Sequence, residues 1–133
     1  MRKIYFLLFL VLGTVYQSNA ACGTNQSEII ITIVPDNYPQ EISWSLRDAN
    51  TNALIDTGRF NSDTVCVGSN QCVRFKIFDS ASDGICCGYG NGSYSVQLNG
   101  VVVASGGQYG ASQTTTFNCP QGFSCTLPLT ATV

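Results

Sequence analysis

The stretch Ser93–Leu98, SYSVQL, is followed by Asn99-Gly100 and then by residues 101–105, VVVAS. Asn and Gly accept the positive φ angles of a type I′ turn, which joins two antiparallel strands in a tight hairpin. The flanking segments are rich in the β-branched and aromatic residues that favour strands. The sequence therefore predicts a β-hairpin at this point and, with it, an antiparallel sheet.

Strand patterns recur at short intervals upstream of this hairpin. Apolar side chains at Ile42, Trp44 and Leu46 alternate with polar ones, which is typical of a strand with one buried face. Residues 48–52, DANTN, have the composition of a turn that leads into another strand at residues 54–60. The other predicted strand segments are residues 29–34, 73–77 and 115–117. Because no window has a helical period, we expect an all-β fold of seven or eight strands, an antiparallel β-sandwich or jelly roll.

The N-terminal residues have the pattern of a signal peptide. Arg2 and Lys3 precede an apolar run over residues 4–15, and Ser18-Asn19-Ala20 follows as a cleavage site. A membrane anchor is the alternative, but this run is shorter than the ~20 residues that a spanning helix needs. We therefore expect a secreted chain with no membrane insertion. The predicted organisation is a signal peptide at 1–20, a β-sandwich domain at 21–118 and an irregular C-terminal tail at 119–133.

All seven cysteines follow the predicted cleavage site. In an oxidising compartment this density favours disulfides. The alternative is a zinc site, but the sequence has no His and lacks the paired spacing of zinc knuckles. Six cysteines are expected in disulfides: Cys22, Cys66, Cys72, Cys86, Cys87 and Cys119. We expect Cys125 to remain as a free thiol or to form a bond to another chain.

The charge of the expected mature chain limits its partners. Four cations remain against eight carboxylates, a net charge of −4. Nucleic acids and anionic membranes need dense cationic contacts, so we exclude both as partners. Arg74 and Lys76, on the polar face of their strand, are interpreted as a solvated stripe.

Catalysis has little support in the sequence. Without His, neither a Ser-His-Asp nor a Cys-His site can be built. A carboxylate pair, Asp79 with Asp83 or Glu41, is the remaining route, and it would suit glycoside chemistry. We expect the protein not to be an enzyme.

From residue 35 to residue 117 the chain resembles a module that recurs in secreted and surface proteins of algae and marine microbes. The motifs that carry the resemblance are PDNYPQE at 35–41, SWSL at 43–46, FKIFDS at 75–80, DGICCGYG at 83–90, GSY at 92–94, NG at 99–100 and SGG at 105–107. Other copies tend to read D-S-x-G-D-G, where this chain has Ser82 in place of the first glycine. The resemblance implies adhesion or ligand binding.

The chain is also similar to CUB-type sandwiches, in which a Pro-Asn-Tyr-Pro segment precedes a Trp strand and an acidic cluster can hold calcium. Asp79 and Asp83 stand four residues apart in a glycine-closed loop, and carboxylates are the ligands that Ca²⁺ prefers. The alternative is a turn in which the Asp side chains cap their own backbone. Asp79, Asp83 and Glu41 are the predicted ligands of Ca²⁺.

Aromatic side chains could form a platform for sugars. Trp44 and Tyr94 lie on the apolar faces of their strands and are expected in the core. Tyr89 and Tyr109 lie in glycine-rich loops and are the predicted ligand contacts. Tyr38 is assigned neither to the core nor to a ligand contact. Asn25 and Asn91 fit the N-glycosylation pattern.

The segment that resembles the module contains Cys66, Cys72, Cys86 and Cys87, and we expect these four to pair among themselves. Adjacent residues of a strand point to opposite faces, so Cys86 and Cys87 are expected to have different partners. Of the remaining cysteines, Cys22 and Cys119 are then expected to form a disulfide that joins the first strand to the last.

The leading functional hypothesis is a secreted, non-catalytic module that binds an extracellular glycan or matrix component with the assistance of calcium. The alternative is a structural or assembly subunit of an extracellular coat, sheath or fibre, which would self-associate.

Overall fold

The computed structural model describes residues 22–121. The predicted signal peptide, Cys125 and most of the predicted tail therefore lie outside the described residues. Within residues 22–121, a single 3₁₀ turn, Pro39–Glu41, accompanies eight strands. The strands are β1 Gln26–Val34, β2 Ile42–Asp48, β3 Leu54–Gly58, β4 Asp63–Gly68, β5 Val73–Asp79, β6 Ser93–Leu98, β7 Val101–Gly106 and β8 Ser112–Phe117. Across residues 22–121, no helix has the length and apolarity needed to cross a bilayer.

The strands form two four-stranded antiparallel sheets, and the predicted β-sandwich is confirmed. The first sheet has the order β4-β1-β6-β7, and the second has the order β3-β2-β5-β8. The alternating apolar side chains of both sheets bury one common core. Phe75 of β5 lies at its centre, 6.3 Å from Trp44 and 5.8 Å from Tyr94 between ring centroids. Trp44 and Tyr94 are thus core residues, as predicted.

The β6–β7 hairpin has the predicted turn. Asn99 and Gly100 both have positive φ angles, 49° and 82°, as a type I′ turn requires. The turn also contacts the neighbouring strand, because the Glu28 backbone N–H donates to Asn99 Oδ1 and the Asn99 N–H donates to the Glu28 carbonyl, both at 2.9 Å. The hairpin is therefore attached to β1 as well as closed on itself.

The β2–β3 turn is organised around Asp48. Its Oδ1 accepts hydrogen bonds from the N–H groups of Asn50 and Thr51, and its Oδ2 accepts one from Gln71 Nε2. The Thr51 N–H, and after it the Gln71 side chain, hold the pKa of Asp48 at about 2, below its usual 3.8. The turn predicted at residues 48–52 is confirmed, and its carboxylate ties it to the segment before β5.

Sequence reasoning missed one strand. β4 is short, and polar residues flank its two core side chains, Val65 and Val67. It lies at the edge of the first sheet, paired with β1. Its place depends on a partner distant in sequence, which local patterning does not reveal.

All six cysteines expected in disulfides are bonded, but the predicted pairing is wrong. The disulfides are Cys22–Cys66, Cys72–Cys119 and Cys86–Cys87. Strand pairing explains the first two. The β1–β4 ladder places the segment before β1 beside β4, whereas the β5–β8 ladder aligns Val73 with Phe117, so that Cys72 and Cys119 flank this pair. Cys86 and Cys87 lie in a loop between β5 and β6, where the alternation of a strand does not apply.

Asp48→Asn should lower the melting temperature at neutral pH and flatten its acid dependence. A carboxyl whose pKa is lower in the folded state stabilises the fold above its unfolded pKa, and this contribution is lost as pH falls from about 4 to about 2. Thermal unfolding across that interval measures the effect. Asp63→Asn is the control. Asp63 also accepts a backbone hydrogen bond, but from its immediate neighbour Thr64 and not across a turn. Superimposable acid profiles for wild type and Asp48→Asn would contradict the assignment.

Candidate functional site

Three acidic side chains meet at one end of the second sheet. Glu41 ends the 3₁₀ turn, Asp79 ends β5, and Asp83 lies in the loop after it. The β2–β5 register aligns Ile42 with Asp79, which brings Glu41 to the same edge. One carboxylate oxygen from each of the three lies within 4.8 Å of the others. The structure thus brings together the three residues that the sequence proposed as calcium ligands.

The loop after β5 curls back onto Asp79. The Asp83 N–H donates to Asp79 Oδ1 at 3.3 Å, and Asp79 itself is only 4% exposed. Ser82 and Gly84 have positive φ angles, 70° and 77°. A Cβ on Gly84 would lie 2.5 Å from the Gly107 carbonyl oxygen, so glycine is required there. Ser82 occupies a conformation that glycine adopts at lower cost.

The surroundings of Glu41 disfavour its charged form. Partial desolvation, followed by the negative charges of Asp79, Asp83 and Asp36, raises the pKa of Glu41 above its usual value. Like charges this close disfavour ionisation unless a cation compensates them. A hard divalent ion suits this donor set, because Ca²⁺ takes six to eight oxygen ligands, carboxylates among them.

An exposed aromatic pair lies beside the cluster. Tyr38 and Tyr89 are 47% and 56% exposed, and their rings meet edge to face at 5.5 Å. The Tyr38 N–H donates to Asp36 Oδ1, and the Asn37 N–H donates to the Tyr89 carbonyl. Asp83 and Tyr89 line one depression of about 160 Å³. The acidic cluster and the aromatic pair are therefore neighbours on one surface.

Tyr38 was not among the predicted ligand contacts. The signal that could have found it is the PDNYPQE motif, which carries both Tyr38 and Glu41. Tyr89 comes from a loop about fifty residues further on, so only the tertiary fold shows that the two rings touch.

Tyr109, the other predicted ligand contact, lies against the core. Tyr109 packs edge-on against Tyr94 at 5.8 Å, and it is partly buried against the core. Its hydroxyl oxygen is enclosed and, like that of Tyr94, has no hydrogen-bond partner within residues 22–121. Burial, and after it the charge of Asp79, raises the pKa of the Tyr109 phenol. A glycine-rich loop predicted exposure, but this loop folds inward over the edge of the sandwich.

The Cys86–Cys87 disulfide borders the same region. Cys86 lines the depression that Asp83 and Tyr89 share, and both cysteines line a larger, open depression of about 850 Å³ next to it. Gln108 Nε2 lies 3.6 Å from Cys87 Sγ. The disulfide thus separates the acidic surface from the glycine-rich β6–β7 edge. Asn25 and Asn91 are exposed, as glycan attachment would require.

Tyr109→Phe should leave stability unchanged or raise it by about 1 kcal/mol, since it removes a buried hydroxyl without a partner. Tyr109→Ala should cost about 1–3 kcal/mol through lost packing. Chemical denaturation measures both. Tyr89→Ala is the matched control and should be nearly neutral, because its ring is largely in solvent. If Tyr109→Ala left the free energy of unfolding unchanged, this ring would not pack on the core.

Comparisons with protein-family models, with curated proteins and with solved structures returned no match to this chain. The features of the described residues that bear on function are therefore the acidic cluster and the aromatic pair beside it.

Proposed function

We propose that this protein is a secreted, non-catalytic module that binds an extracellular glycan or matrix component, with calcium held by Glu41, Asp79 and Asp83. The observation that carries the proposal is the convergence of these three carboxylates beside the exposed Tyr38–Tyr89 pair. Secretion is supported by the leader pattern and is compatible with three disulfides in residues 22–121.

The cation would have two roles. It would neutralise the negative charges that, after partial desolvation, raise the pKa of Glu41, and it would fix the loop that carries Asp83. Because three carboxylates supply only part of the six to eight oxygens that Ca²⁺ takes, positions would remain for hydroxyl groups of a ligand. Asp83 is exposed, so a ligand can approach the ion from its side.

The aromatic pair would provide the apolar contact. Sugar rings have apolar faces that pack on aromatic side chains, and a Tyr ring adds a polar group at its edge. The Tyr38 N–H donates to the Asp36 carboxylate, and the Tyr89 carbonyl accepts from the Asn37 N–H, so both tyrosines are attached to residues 36–38. A sugar placed on these rings would lie close to the cation at Asp83.

One observation favours the alternative, an assembly subunit. β7 is an edge strand, and its Val101 and Val102 are 66% and 55% exposed. An edge strand with exposed apolar side chains is a template for pairing with another chain. Self-association through this edge would leave the acidic and aromatic surface free.

Calcium should raise the melting temperature of the chain. An ion that binds only the folded state stabilises it by about 2.7 kcal/mol when its concentration is 100 times its Kd. Asp83→Ala should remove this response, because it withdraws one ligand from an exposed position. Calorimetry in chelator and in millimolar calcium measures both. Glu28→Gln, on β1, is the control and should respond like wild type. Identical curves with and without calcium would contradict the metal site.

A glycan array should reveal binding that chelator weakens. Tyr38→Ala and Tyr89→Ala should each reduce this binding by about tenfold while the melting temperature changes little, since both rings are exposed. Tyr109→Phe is the matched control, because it removes only a hydroxyl group that is enclosed and cannot reach a ligand. A chain that binds no glycan and sediments as an oligomer would instead favour the assembly subunit.

A further inference from the structure

The outer face of the second sheet gathers most of the cations. Of the four Lys and Arg residues in the described range, Arg47, Arg74 and Lys76 lie on this face, and the fourth is Arg59. The same range contains eight carboxylates. This range has twice as many carboxylates as cations, so the gathering of three cations on one face follows from how the chain folds and not from its composition.

The cations are placed side by side by strand register. Arg47 of β2 is the direct cross-strand partner of Arg74 of β5, and Lys76 follows two residues later on the same face. Direct partners have Cβ atoms about 5 Å apart, and residues i and i+2 of a strand are separated by about 7 Å. Like charges directly opposite each other destabilise a sheet. The arrangement therefore costs the free protein stability.

No carboxylate offsets this cost within residues 22–121. Arg47 Nη1 donates to the Asn52 carbonyl at 2.9 Å, and Arg74 Nη2 donates to Asn52 Oδ1. The Lys76 ammonium lies 4.6 Å from the centroid of the Phe78 ring. Each guanidinium has five N–H donors, so most of its donors remain for a ligand. Asn52 holds the guanidinium groups of Arg47 and Arg74 next to each other, but it carries no charge that would neutralise theirs.

The surroundings suit an extended polar ligand. The cations line a shallow depression of about 320 Å³ together with Ser45, Phe78 and Thr114. Ser45, Lys76 and Thr114 form one row across β2, β5 and β8. The depression thus combines cations with hydroxyl groups across three strands, a pattern that suits a chain of linked sugars carrying negative groups.

We propose that this face binds an anionic polysaccharide, whose sulfate esters or carboxylates would be held by Arg47, Arg74 and Lys76. The site is distinct from the acidic cluster, because Arg74 and Asp79 lie at opposite ends of β5, about 17 Å apart. It therefore does not rest on the proposed calcium site. The hydroxyl groups of Ser45 and Thr114 beside the cations can pair with the hydroxyl groups of a sugar chain, which favours a glycan over a nucleic acid.

The test measures binding of the purified full chain to dextran sulfate, with neutral dextran of the same length as the reference. We expect the chain to bind dextran sulfate and not neutral dextran, and we expect this binding to weaken as salt is added. Arg74→Gln and Lys76→Gln should each weaken it by about tenfold, the loss of one charge-assisted hydrogen bond. Arg59→Gln is the matched control, since it removes the same charge beside Glu41, and it should weaken binding less than twofold.

Binding measurements with other polymers and with chelator separate the possible ligands. Polygalacturonate tests carboxylates, and binding to it or to dextran sulfate supports the proposal. Single-stranded DNA that binds as tightly as either glycan would overturn the assignment to a polysaccharide. Binding should survive chelator, so a chelator-sensitive signal would place the ligand at the calcium site instead. An equal loss in Arg59→Gln and Arg74→Gln, with both variants folded by circular dichroism, would also overturn the proposal.

Discussion

The register of β5 between β2 and β8 sets which side chains of the second sheet enter the core and which face outward. Because side chains of a strand alternate between two faces, this register sends Val73, Phe75 and Ile77 into the core. It also sends Arg74 and Lys76 to the outer face. A slip by one residue would bury both cations and expose the centre of the core. Such a slip is strongly disfavoured, since an unpaired buried charge is costly.

The same strand creates two regions of opposite charge. At its start, the pairing with β2 sets Arg74 against Arg47, and at its end it sets Asp79 next to Glu41. Both regions concentrate like charges, and each is costly to the free protein. Local arrangements that oppose stability are commonly found at functional sites. The two surfaces are therefore the parts of this sandwich that we associate with ligands, one for a cation and one for an anion.

The disulfides reinforce the ends of the sheets. Cys72–Cys119 closes the start of β5 onto the end of β8, and Cys22–Cys66 closes the segment before β1 onto β4. Both join segments more than forty residues apart, and cross-links of this length restrict the unfolded chain substantially. A small domain with a modest core benefits from them. Cys86–Cys87 joins neighbours instead, and it shapes the loop between the acidic surface and the β6–β7 edge.

Alternating apolar residues and turn chemistry predicted the fold class, most of the strands and the Asn99-Gly100 hairpin, because both act over a few residues. The loop shared by Asp79 and Asp83 and the PDNYPQE motif that carries Glu41 pointed to three carboxylates, which the fold brings together. Local sequence could not reveal which cysteines pair, that Tyr109 packs on the core while Tyr38 meets Tyr89, or that Arg47 stands opposite Arg74. These features join residues distant in sequence, and their proximity follows from strand order and register, which local patterns do not encode.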